Sequence, residues 1–192
     1  GIEVMALCDL HQFRTDSCNR MLVRAGMKEA DVYYGDDEQW KKVCEREDID
    51  LIYIATDWVN HAPIMIYAMQ HGKHVACEVP AALTLEEIWE VVNTAELTRK
   101  HCMMLENCCY DFFEMATLNM AQKGVLGEIV HAEGAYIHDL RFLNFMDPKE
   151  GGYNDWWRLD YNAEHTGDPY ATHGLGPVTQ ALNIGRGDRL DY

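Results

Sequence analysis

Tyr170 and His173 stand three residues apart in the run Tyr170-Ala171-Thr172-His173-Gly174-Leu175-Gly176-Pro177. On a helix that spacing puts both side chains on one face, and a phenol beside an imidazole can move protons near neutral pH. A histidine before glycine also serves structural ends, so both readings stand at this level. Arg158 follows Trp156 and Trp157. A guanidinium hydrogen-bonds polyol hydroxyls or an amide carbonyl, and an indole packs on a ring face. The alternative is a loop anchored by buried tryptophan.

A second set of polar residues follows short apolar runs. Asp9 closes one, Thr56, Asn60 and His61 follow another, and Glu78 and Glu106 follow two more. In open α/β sheets, ligands bind at the carboxyl ends of strands, and an acid there can accept both ribose hydroxyls of a dinucleotide. Each residue also has an ordinary alternative. Asp9 suits a helix N-cap, Asn60 or His61 a cap for the next helix, Glu78 a structural acid, and Glu106 a hinge hydrogen bond. Tyr136 lies in an alternating run, where a tyrosine is usually packing. His131, His138, Asp139 and His165 match no standard ligand spacing, so no metal is expected.

The elements that must position these groups alternate. The apolar runs over 4–8, 51–55, 74–77 and 102–105 are short, as strands covered on both faces tend to be. Helical periodicity separates or follows them over 14–25, 37–46, 62–71 and 85–100. The last has Thr84 as N-cap and Glu87 three residues on. This predicts right-handed strand–helix–strand units and a Rossmann-like, doubly wound parallel sheet. Near residue 107 the pattern changes. A helix over 112–123 precedes a long strand over 128–137, an irregular stretch over 139–168, a helix starting near Gly176-Pro177, and a turn over 183–188. The expected domains are a partial nucleotide-binding domain, 1–107, and the opening of an α+β substrate domain, 108–192. No GxGxxG loop precedes Asp9, so the chain is expected to begin after the phosphate loop. It is also expected to stop before the second domain is complete.

The 192-residue chain carries a formal charge of −16. Such an acidic surface repels nucleic acid and anionic membranes. No window approaches the ~18 consecutive apolar residues a membrane span needs. The seven cysteines are odd in number and include no CxxC pair, which reads as reduced, mostly buried thiols.

Four segments together resemble the glucose–fructose oxidoreductase/inositol dehydrogenase (Gfo/Idh/MocA) superfamily. They are Ala6-Leu7-Cys8-Asp9; Asp50-Leu51-Ile52-Tyr53-Ile54-Ala55-Thr56 with Asn60-His61; Gly72-Lys73-His74-Val75-Ala76-Cys77-Glu78-Val79-Pro80; and Gly127-Glu128-Ile129. In that superfamily the third segment usually reads Glu-Lys-Pro, and its lysine takes part in hydride transfer. Val79 stands in its place. Further segments are similar to one branch, the NAD-dependent α-N-acetylgalactosaminidases of glycoside hydrolase family 109. These are Glu78-Val79-Pro80-Ala81-Ala82, Met104-Leu105-Glu106-Asn107-Cys108-Cys109-Tyr110, Gly134-Ala135-Tyr136-Ile137-His138-Asp139, Trp157-Arg158-Leu159 and the Tyr170–Pro177 run. The resemblance covers nearly the whole chain.

What the resemblance implies is a glycosidase that works through redox chemistry: NAD⁺ oxidises the sugar 3-hydroxyl, the acidified hydrogen at carbon 2 is removed, the glycosidic oxygen is eliminated, water adds, and the hydride returns. Such families depart from the usual carboxylate pair. The implied catalytic residues are His173, Tyr170 and Tyr136. The sugar would be bound by Glu106, Arg158, Tyr136 and Tyr170, and NAD by Asp9, Thr56, Asn60, His61, Glu78, Glu106 and Asn107. The implied partner is a small glycoside, with no nucleic acid and no membrane span. A homo-oligomer stays open, as does location, cytoplasmic or periplasmic according to any upstream signal. Two alternatives stand beside this reading: an NAD(P)-dependent sugar dehydrogenase of the same superfamily, and a non-catalytic fragment.

Overall fold

The computed structural model describes residues 1–147, 150, 156–168 and 171–191. The chain divides into two compact units, Gly1–Met104 and Leu105–Tyr192.

In the first unit strands and helices alternate: β1 (Ala6–Cys8), α1 (Gln12–Arg24), β2 (Asp31–Tyr33), α2 (Gln39–Cys44), β3 (Leu51–Ile54), α3 (Trp58–Gln70), β4 (His74–Cys77), α4 (Leu85–Thr98) and β5 (Cys102–Met104). All strand pairs are parallel, in two sets, β1-β2 and β3-β4-β5. Read as strands 3-2 and 4-5-6 of the doubly wound order 3-2-1-4-5-6, they flank the position that strand 1 takes in that order. Strand β2 carries no periodic apolar signal in Asp31-Val32-Tyr33. Its ladder with β1, Ala6 to Asp31 through Cys8 to Tyr33, makes it a strand. That is a tertiary effect outweighing local preference.

The core of this unit forms around α3. Met65 and Ala68 are fully buried, and Cys44, Ile54, Val75 and Cys77 pack in the same cluster. Helix α3 begins a full turn before the expected position 62. Its N-cap is Asp57, whose carboxylate accepts the Asn60 backbone N–H at 3.1 Å and the Asn60 side-chain amide at 2.8 Å. Helix α4 starts as expected. The Thr84 hydroxyl accepts the Glu87 N–H at 3.1 Å, and the Glu87 carboxylate accepts the N–H groups of Thr84 and Leu83. The reciprocal pair satisfies donors that a helix start leaves open.

The second unit holds a short 3₁₀ turn at Asn107–Tyr110, α5 (Phe112–Gln122), α6 (Arg141–Phe145), α7 (Trp157–Glu164) and α8 (Ala171–Ala181). Three expectations are corrected here. No strand forms over 128–137, because no neighbouring strand among the described residues offers the ladder that a strand requires. Val130 and Ile137 accordingly stand about fully exposed, at 90% and 91%. The stretch over 139–168, read as irregular, contains α6 and α7. Helix α8 begins at Ala171, with Gly174, Gly176 and Pro177 inside it. Helix propensity argues against those residues, and their packing, described below, reverses the argument.

All seven cysteines are free thiols. Burial pushes Cys44 and Cys77 up to about 12 and Cys8 up to about 11. Cys44 and Cys77 are core-filling thiols held protonated. No helix among the described residues is long and apolar enough to cross a membrane.

The cap of α4 gives a direct test. Thr84→Ala should destabilise the protein by about 0.5–2 kcal/mol, with Thr84→Ser close to wild type, both read as shifts in chemical-denaturation midpoint at unchanged slope.

Candidate active site

In the second unit, Glu106 stands just before the 3₁₀ turn and its side chain folds back onto it. One carboxylate oxygen, Oε1, accepts the Cys108 backbone N–H at 3.0 Å and lies 2.6 Å from His173 Nδ1. Both side chains are buried, at 8% and 7% exposure. The other oxygen, Oε2, is buried with no hydrogen-bond partner among the described residues. A buried carboxylate is costly unless it is paired and hydrogen-bonded. The short contact to His173, 67 positions away in the chain, is therefore a specific association.

Two close approaches bring these residues together. A Cβ on Gly176 would lie 2.8 Å from Cys109 Sγ and 3.1 Å from Glu106 Cγ, so α8 can press against Glu106 only with glycine there. The second is at Gly134 and Gly174. A Cβ on Gly174 would meet the Gly134 carbonyl oxygen at 3.1 Å, and one on Gly134 would run into the Gly174 carbonyl. This contact carries Tyr136 to His173, with ring centroids 4.4 Å apart, and the His138 ring lies 4.7 Å from that of Tyr136. Tyr136 is 42% exposed, so its phenol is accessible where Glu106 is not.

The remaining expected residues of this unit are placed differently. Tyr170 lies outside the described residues. Arg158 is on α7, 5% exposed, its guanidinium 5.9 Å from the Trp157 ring centroid. Asn107 is exposed on the 3₁₀ turn. Cys108, which the sequence did not single out, sits beside Glu106 and His173. Its thiol is raised by burial first and then by the Glu106 carboxylate.

In the first unit, the residues following β1, β3 and β4 occupy the ligand-binding edge of such sheets. Asp9 is half-buried directly after β1, and its Oδ1 accepts the His11 N–H at 2.9 Å. A half-exposed carboxylate at a strand end fits the ribose hydroxyls of NAD. Thr56 is exposed and donates to the Asp57 carbonyl. Asn60 is tied to the Asp57 cap. Glu78 follows β4 and accepts from the Tyr53 hydroxyl; this carboxylate contact pushes Tyr53 up to about 12. His61 has partners within the unit. It is 1% exposed, with Nδ1 2.6 Å from the Pro80 carbonyl and Nε2 3.2 Å from the Thr56 carbonyl. Both ring nitrogens are occupied within the unit, so His61 holds the turns after β3 and β4 in place. That role has no signature in a lone Asn-His pair.

Comparison with known proteins places two family models in tandem on the chain. Residues 1–106 match the oxidoreductase family with an NAD-binding Rossmann fold, Gfo/Idh/MocA. Residues 110–192 match the C-terminal domain of glycosyl hydrolase 109. Among curated relatives, the chain is 58% identical over its whole length to an alpha-N-acetylgalactosaminidase of Bacteroides fragilis, of which it spans 45%. It is also 58% identical to a glycosyl hydrolase family 109 protein of Bacteroides thetaiotaomicron, covering 99% of this chain and 39% of that one. The chain thus spans less than half the length of these relatives. Among solved structures, a myo-inositol 2-dehydrogenase of Lactobacillus plantarum superposes with a TM-score of 0.58 at 24% identity, over 68% of this chain and 36% of that one. A scyllo-inositol dehydrogenase of Lactobacillus casei with bound NAD(H) and scyllo-inositol gives 0.57 at 18%, over 66% and 35%. At these identities the likeness is one of fold.

The glycine contacts predict how the site fails. Gly176→Ala should cost about 1–3 kcal/mol, the usual range for overpacking, and Gly134→Ala more, because its clash is with backbone. Denaturant titration of both variants reads the loss. Wild-type stability in both would show that α8 does not lie this close.

Proposed function

This chain belongs to the Gfo/Idh/MocA oxidoreductase family with its NAD-binding Rossmann fold, and from that premise we propose that the protein hydrolyses α-N-acetylgalactosaminides with NAD held as a recycled cofactor. The observation that carries the reading is the buried Glu106–His173 hydrogen bond with the Tyr136 ring tilted against the imidazole, in the part of the chain that matches a glycosyl hydrolase 109 domain. The buried Val79, at the position of the superfamily lysine, supports a departure from plain dehydrogenase chemistry.

When bound, NAD supplies the removal of a hydride from carbon 3 of the sugar and its return. The chain's own groups do the rest. Asp9 binds the ribose hydroxyls, with Glu78 and Asn107 assigned to the same cofactor. Glu106 holds His173 by Nδ1, which makes Nδ1 the protonated nitrogen and leaves proton acceptance to Nε2. A carboxylate opposite Nδ1 also stabilises the charge that develops on the ring when Nε2 takes a proton, the logic of a histidine oriented by a buried acid. We assign removal of the hydrogen at carbon 2 and protonation of the departing glycosidic oxygen to His173 and Tyr136. Tyr170 is assigned to sugar binding and proton transfer from its place in the same motif. Arg158, beneath Trp157, is assigned to the sugar pocket wall.

Product analysis separates this from a sugar dehydrogenase. On a chromogenic α-N-acetylgalactosaminide the full-length protein should release free sugar with no accumulation of NADH; stoichiometric NADH would move the assignment to a dehydrogenase.

The His173 variant makes a double forecast. His173→Ala should lower turnover roughly 10²–10⁴-fold. It should also lower stability by about 1–3 kcal/mol, because it leaves the Glu106 carboxylate buried without its partner. Adding Glu106→Gln should recover part of that stability and none of the rate, a non-additivity that a double-mutant cycle isolates. Near-normal turnover in His173→Ala would remove the residue from the mechanism.

A further inference from the structure

Glu106, Cys108 and His173 offer a carboxylate oxygen, a thiol sulfur and an imidazole nitrogen whose ligand atoms all lie within 4.8 Å of one another. We infer that these three residues form a binding site for a borderline-soft divalent cation of the zinc class, and that its occupation blocks His173. The first statement stands on geometry alone, whereas the second rests on the proton-transfer role proposed above.

Three observations converge. The ligand set mixes oxygen, nitrogen and sulfur, which suits zinc and excludes the all-oxygen preference of magnesium or calcium. Glu106 and His173 are nine-tenths buried, so the site is shielded from competing water. The Glu106 Oε2 atom is buried and has no partner among the described residues, a state that calls for a water or an ion. With metal–ligand distances of about 2.0–2.3 Å, neighbouring ligand atoms of a tetrahedral site stand roughly 3.3–3.5 Å apart. The 2.6 Å Glu106–His173 contact therefore opens by less than about 1 Å to admit a cation. The Cys108 N–H bond to Glu106 Oε1, at 3.0 Å, holds the thiol-bearing residue beside the carboxylate. Three protein ligands leave a fourth position for water or an added ligand. Cation binding releases the thiol proton to solvent and shifts the imidazole proton from Nδ1 to Nε2, so that a neutral His173 ligates through Nδ1 and Nε2 can no longer accept a proton. A cation there takes the groups that orient His173, so turnover stops until it is removed.

The sequence shows none of this, since positions 106, 108 and 173 fit no ligand spacing and two of them meet the third only through folding.

The test titrates the full-length protein with cobalt(II), then zinc(II). The expected result is one bound cobalt with a near-ultraviolet thiolate-to-cobalt absorption that zinc displaces. Cys108→Ala should abolish that absorption and weaken zinc binding at least tenfold, within the 10–100-fold that even outer-shell changes cost. Cys18→Ala, in the first unit, should retain both. Cobalt binding without a thiolate band, or a band that survives in Cys108→Ala, would overturn the site. In the same samples, zinc should inhibit turnover of the wild type reversibly by chelator, and each variant is normalised to its own zinc-free rate. Thiolate-ligated zinc without inhibition would keep the site and overturn the blocking of His173, and with it the role of His173 in proton transfer.

Discussion

Helix α8 reaches Glu106 and the segment bearing Tyr136 because two of its positions have no side chain. Gly176 admits the Glu106 methylene and the Cys109 sulfur, and Gly174 admits the backbone at Gly134. The contact between Glu106 and His173 depends on that approach. Were α8 displaced by the width of a methyl group, His173 would no longer sit 2.6 Å from the Glu106 carboxylate. The buried acid would then be left without its partner. The helix tolerates residues that weaken it in isolation because they let it pack where larger ones cannot.

That packing has an electrostatic consequence. Glu106 is removed from water, so its interaction with His173 is stronger than the same contact at the surface. It also orders the imidazole by fixing which nitrogen carries the proton. Burial, and after it the same carboxylate, raises the Cys108 thiol. The proposed proton-transfer site and the proposed cation site thus share components, a desolvated acid beside an imidazole. In this reading the vulnerability to soft cations follows from the same geometry as the chemistry.

The first unit solves a different problem. Its polar residues sit where parallel strands end, and most are already engaged in building the turns. Asp57 caps α3 and holds Asn60, while His61 bridges the carbonyls of Thr56 and Pro80. Asp9 and Glu78 are half-buried acids at the same edge, accepting from the His11 N–H and the Tyr53 hydroxyl. The division between groups that shape the edge and groups that face a ligand is a matter of hydrogen-bond partners, which residue type alone does not reveal.

Read alone, the residues determined the strand–helix alternation of the first unit, the capping box at Thr84 and the family, because these signals are local: apolar periodicity, side chains that bond within one turn, and contiguous motifs. They also named Glu106, Tyr136 and His173 as candidates. Only the tertiary structure decided that Glu106 and His173 are hydrogen-bonded to each other, that His61 reaches the carbonyls of Thr56 and Pro80, and that Cys108 belongs to the same cluster. It alone decided that β2 is a strand and that 128–137 is not, since a strand exists only through its neighbours. Helix α8 shows the reason most plainly. Glycines at 174 and 176 read locally as interruptions. What they permit is a contact with residues far away in the chain, and the energy of that contact appears in no window of the sequence.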